Sequence, residues 1–155
     1  MTESASTYSL ICRVRKHLCA LPLRHVVEIM RPLATEAISG APAFVKGVAV
    51  VRGAPAVVVD AARLLGESPD CTPADAHRFV TVQAGSRRMA LAVDDVLGVR
   101  PVVPDSWHEV PRLLHEAGDG VVAALGLLDA QLLLVLESAR ILPAAFLEQH
   151  AGNPA

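Results

Sequence analysis

The sequence predicts a mostly β fold, built as two small barrels of short strands with short helical pieces. Three observations carry that expectation. Apolar residues make up 52% of the 155-residue chain but aromatic residues only 3%, so Val, Leu and Ala must fill the interior, which suits narrow β-cores better than a ring-lined cavity. Apolar runs of strand length recur, separated by turn residues. The second half of the chain also repeats the pattern of the first, the mark of an internal duplication.

Met1–Ser6 is small and polar and reads as a frayed start. Tyr8, Leu10, Cys12 and Val14 then alternate with Ser9, Ile11, Arg13 and Arg15, a period-two strand. The turn Arg15-Lys16-His17 sends the chain back through Leu18–Leu21. Leu23, Val26, Val27 and Met30 fall at i, i+3, i+4 and i+7, which predicts a short helix after Pro22. The apolar runs Gly47–Val51 and Ala56–Val59 flank a turn that holds Arg52, and Asp60-Ala61-Ala62-Arg63-Leu64-Leu65 follows. Gly66–Ala76, rich in Gly, Ser, Pro and Asp, is the linker between halves.

In the second half, Arg78–Gln83 runs to the Ala84-Gly85-Ser86 turn and returns through Arg88–Val93. Val96 and Val99 follow Asp94-Asp95 as the helical residues follow Pro22 in the first half. Gly120–Leu136 is almost wholly apolar, but its 17 residues are short for a bilayer and carry Asp129 and Gln131 at the middle. A hairpin, Ala124–Leu128 and Leu132–Leu136, explains it better. Glu137-Ser138-Ala139-Arg140-Ile141-Leu142 echoes residues 60–65, and His150–Ala155 is a tail. Ala20-Leu21 matches Ala90-Leu91, Val26 matches Val96 and Ile29 matches Val99 at one constant spacing. The expected organisation is a single domain over 1–155, with half-repeats at about 8–65 and 78–142 that can exchange strands between barrels.

The formal charge is −2, from 14 basic and 16 acidic residues, without a basic stripe. Nucleic-acid binding is therefore not expected. No charged segment followed by an apolar run opens the chain, so a cytoplasmic protein with no membrane insertion is expected. Three cysteines without a framework spacing fit a reducing compartment. No phosphate loop, nucleophile elbow or H-E-x-x-H pair occurs. Cys12, His17, Cys19 and His25 are the one cluster to weigh as a metal site, but the cysteines lie seven apart on opposite strands of the hairpin, and Cys12 reads as a small buried hydrophobe. The expectation is a binding module with no catalytic residues, cofactor or metal. Arg52 is either a solvated turn residue or a partner contact; Val26 reads as core and Glu28 as solvent-facing.

Ala41-Pro42-Ala43-Phe44-Val45-Lys46-Gly47-Val48, then Val51-Arg52-Gly53 and Val57-Val58-Val59-Asp60, resembles the signature core of the CheW chemotaxis coupling family. Val26-Val27-Glu28-Ile29 resembles the element leading into that core, Arg88–Val99 the second-barrel hairpin, and Leu132–Leu142 the closing hairpin and helix. The resemblance spans about residues 8–142 and implies two SH3-like barrels. It implies a non-catalytic adaptor that couples methyl-accepting chemoreceptors to a CheA-type histidine kinase at cytoplasmic arrays. By the same resemblance Val26, Glu28, Val96 and Val99 fall in or beside a groove for the receptor's hairpin tip, and Arg52 matches an arginine linked to receptor and kinase coupling. Val50-Val51-Arg52-Gly53 departs from the usual N-L-R-G, Pro55 is displaced, and Ala123-Ala124-Leu125-Gly126 stands for T-G-L-G. A kinase-only decoy resembling the kinase regulatory domain is the alternative, and a Cys/His metal protein a remote one.

Overall fold

Val51 pairs with Ala54 across a turn of two residues, Arg52 and Gly53, both with positive φ (52° and 80°). That is the type I′ geometry whose twist matches the flanking strands. The computed structural model describes residues 7–66, 77–84, 87–102, 122–128 and 131–136. The strands described are β1 (Thr7–Val14), β2 (His17–Pro22), β3 (Val26–Met30), β4 (Val45–Val51), β5 (Ala54–Asp60), β6 (Arg78–Ala84), β7 (Arg87–Val93), β8 (Asp95–Val102), β9 (Val122–Leu128) and β10 (Gln131–Leu136). A 3-10 turn, Leu23–His25, and the short helix α1, Ala61–Leu64, complete them. Asp60 caps α1, its carboxylate accepting from the Ala62 N–H at 3.1 Å. Linker residues 67–76, Gly85 and Ser86 of the turn, residues 137–142 and both chain ends lie outside the described residues.

The chain is mostly β, and its two five-stranded sheets form two subdomains, ordered β8-β1-β2-β10-β9 and β3-β6-β7-β5-β4. Moving every strand five places along the chain converts one order into the other. Only the first sheet joins the two ends of the chain, with β2 parallel to β10; the second gathers the consecutive strands β3 to β7, with β5 parallel to β7.

Three core clusters explain why Val, Ala and Leu dominate. Ile11, Leu18, Ala20, Val102, Leu133 and Val135 pack on one face of the first sheet. Ala49, Val58, Phe79, Ala90 and Ala92 pack on one face of the second, with Met30 against them. Their opposite faces meet in the largest cluster, where Leu10, Cys12, Val14, Cys19 and Leu21 meet Val57, Val59, Val80, Val82, Met89 and Leu91. Central strands are therefore buried on both faces, and such strands read as continuous apolar runs. The period-two reading of β1 missed this, since Ser9 and Ile11 are as buried as Leu10 and Cys12.

Two local expectations need correction. Only Leu23–His25 is helical after Pro22; Val26–Met30 is a strand. Val96 and Val99 likewise lie on strand β8 rather than on a helix. The glycine of the Lys46-Gly47-Val48 element has a clear reason. Its φ is 148°, and a Cβ there would lie 1.9 Å from the Glu36 carbonyl oxygen. That close approach lets Glu36 and Val48 exchange two backbone hydrogen bonds of 2.9 and 2.8 Å.

Candidate functional site

The site starts at an irregularity in β3. Val26 pairs with Val82 and Glu28 with Thr81, so Val27 is an extra residue between them. A bulge of this kind re-aims the side chains that follow it. Val26 faces the inter-sheet cluster, whereas Glu28 and Met30 lie on the opposite face, over Thr81 and Phe79. The Thr81 hydroxyl fixes the kink: it accepts from the Glu28 N–H at 3.1 Å and donates to the Glu28 carbonyl at 3.2 Å.

So aimed, Glu28 meets Arg52 from the β4–β5 turn. Arg52 donates from Nε to Oε2 at 3.0 Å and from Nη2 to Oε1 at 2.7 Å, a two-pronged pair. β3 and β4 border opposite sides of the same sheet, so the pair ties the hairpin tip of one border to the strand at the other. The Arg52 side chain is 75% exposed and that of Glu28 25%. Exposed pairs of this kind add little to stability; this one orients a guanidinium that still faces water. The hydrogen bonds from Arg52 hold the Glu28 carboxyl below its usual range, the charges of Arg52 and Arg88 add to that, and desolvation opposes it. The same bonds raise the already high Arg52 pKa.

The apolar residues expected beside this pair divide by depth. Val96 lies opposite Cys12, and both Val26 and Val96 pack on the inter-sheet cluster. Val99 lies opposite Leu10 and so shares that inter-sheet face, yet it is 46% exposed because β8 borders its sheet. Ile29 does the same on β3: it lies opposite Val80 and is 44% exposed. The structure thus brings Arg52 and Glu28 into contact, sets Val26 and Val96 against one core, and leaves Val99 as the outermost of the four valine and glutamate positions. Sequence reasoning matched Ile29 with Val99 but did not place Ile29 in the site, although the match was the signal that could have done so. Arg88 was also missed; nothing local to it marks a role.

The Cys/His cluster looks different at close range. Cys12 and Cys19 lie directly opposite one another, both buried and free. Burial pushes each thiol up to about 12, with Asp95 adding at Cys12 and Cys12 adding at Cys19. Thiols held protonated are poor metal ligands. Among the described residues no group of three or more His, Cys, Asp or Glu side chains is placed to hold a metal ion, and no helix is long and apolar enough to cross a membrane. A hollow of about 480 Å³ beside the β1–β2 turn, lined by Arg13, Arg15, Lys16 and His17 among others, contains none of the site residues.

A family model described as the CheW-like domain matches residues 9–146. The structure also resembles the crystal structure of the scaffolding protein TtCheW from Thermoanaerobacter tengcongensis, with a TM-score of 0.72 and 19% identity, over 85% of this chain and 89% of that one. At that identity the likeness is one of fold. No curated protein matches the chain.

Proposed function

We infer the role of this chain from one premise: it belongs to the CheW-like family of scaffold and adaptor proteins. We propose that it is a catalytically inert cytoplasmic adaptor. In this reading it joins the hairpin tips of methyl-accepting chemoreceptors to a CheA-type histidine kinase. The observation that carries the proposal is the pairing of an oriented, solvent-facing Arg52 with half-exposed apolar residues, Ile29 and Val99, on the faces that meet between the sheets. An amphipathic receptor helix could lay its apolar stripe against Val26, Ile29, Val96 and Val99, while Arg52 and Glu28 engage a polar group at its margin. The kinase-only decoy remains the second reading, because a regulatory-domain relative would share the fold without receiving a receptor. Tagged protein isolated from its own cell should retain both receptor and kinase. Retention of the kinase alone would replace the adaptor reading with the decoy, and retention of neither would end both.

A further inference from the structure

Glu28 lies within the field of two guanidinium groups, and Arg52 holds it through both hydrogen bonds. Cross-strand pairs on the Glu28 face of β6 and β7 run Phe79–Ala92, Thr81–Ala90 and Gln83–Arg88. Glu28 lies beside Thr81, so Arg88 sits two strands away and one pair further along the same face. Strand spacing and rise place the two backbones about 12 Å apart, a gap that a glutamate and an arginine side chain span together. Arg88 at present donates from Nη2 to the neutral Gln83 Oε1 at 3.0 Å. A hydrogen bond to a carboxylate would be the stronger one. The group of Arg52, Arg88 and Glu28 carries two positive charges and one negative, which favours the approach of one further carboxylate.

We propose that Arg88 is a reserve cation for Glu28: when a carboxylate of a docked protein partner draws Arg52 away, Arg88 leaves Gln83 and pairs with Glu28. The exchange leaves every charge with a partner. Without Arg88, engaging Arg52 would strand Glu28 beside the incoming carboxylate, a like-charge contact that penalises binding. Arg88 is thus a positioning residue that acts through Glu28. The identity of the partner rests on the adaptor reading; the exchange within the free protein does not.

Two measurements on the full chain test this. Nuclear magnetic resonance titration of the Glu28 carboxyl should show its midpoint rising in Arg52→Gln yet staying below the ordinary value, then rising further in Arg52→Gln/Arg88→Gln. An unchanged midpoint on adding Arg88→Gln overturns the proposal. Binding of a receptor hairpin-tip fragment, or of the kinase regulatory domain, should weaken roughly three- to thirtyfold in Arg88→Gln, the range of couplings within one network. The same change in a Glu28→Gln background should have no effect, because no carboxylate is left to cover. Equal losses in both backgrounds would make Arg88 a direct partner contact and overturn its reserve role. If the wild type binds neither partner while the titration behaves as expected, the adaptor reading fails and the role of Arg88 stands.

Discussion

Val96 and Val99 lie on one strand and one face, three positions apart, yet a charge should affect them differently. Val99 is 46% exposed. In the free protein Val99→Asp keeps its carboxylate in water and loses mainly strand preference, within about 1 kcal/mol. Val96 packs on the inter-sheet cluster. There Val96→Asp gives up apolar burial of about 1.5 kcal/mol and also desolvates a carboxylate, so about 3 kcal/mol or more of stability should go. Against a docked receptor helix the order changes. A carboxylate at position 99 would be driven into a dry slot with no partner, and a loss of about 3 kcal/mol there weakens the complex by about 150-fold. Urea unfolding should therefore separate the variants by about 2 kcal/mol or more. Calorimetric titration of Val99→Asp with a receptor hairpin-tip fragment should show binding lost while kinase binding is retained. Receptor affinity within threefold of wild type would remove β8 from the receptor surface. Equal destabilisation by the two variants would refute the reasoning from exposure.

Arg52→Glu should leave the urea midpoint nearly unchanged, since the pair it breaks is exposed, but weaken receptor or kinase binding by about thirtyfold or more. The swap Arg52→Glu/Glu28→Arg should restore the ion pair without restoring binding; recovered affinity would mean that only the tie between strands matters. Gly47→Ala should cost about 3 kcal/mol, from its left-handed backbone and the loss of the Glu36–Val48 bonds, and a loss under 1 kcal/mol in urea would contradict the close approach. Cys12 and Cys19 are raised from 9.0 to about 12 in the folded chain. Their contribution to stability is complete below about pH 9 and is lost as pH rises toward 12. The urea midpoint should fall between about pH 8 and pH 10.5 in wild type and fall less in Cys12→Ala/Cys19→Ala; equal slopes would show that the thiols do not govern it. Protein purified without added metal should carry no zinc by elemental analysis, and one zinc per chain would revive the Cys/His cluster.

Short-range features were legible in the chain. Two apolar runs around Arg52-Gly53 determine a tight hairpin, because consecutive strands with a two-residue turn have only one way to pair. Cys12 among apolar neighbours could be read as buried for the same local reason. β3 misled the reading, and the cause is physical. The i, i+3, i+4, i+7 spacing arose from residues that share no face: Leu23 lies in the 3-10 turn, Val27 is the exposed bulge residue, and Val26 and Met30 pack on opposite faces of the bulged strand. What only the tertiary structure decided was longer in range. Whether β2 runs beside β10 or β5 depends on contacts more than a hundred positions apart, to which periodicity is blind. The same holds for the site. Glu28 and Arg52 are separated by 24 positions, and Arg88 stands further still along the chain. Each alone is an unremarkable surface charge. They form one electrostatic unit because a bulge turns Glu28 over, and the sheet of β3 to β7 brings the β4–β5 turn to Glu28 and sets Arg88 on the same face.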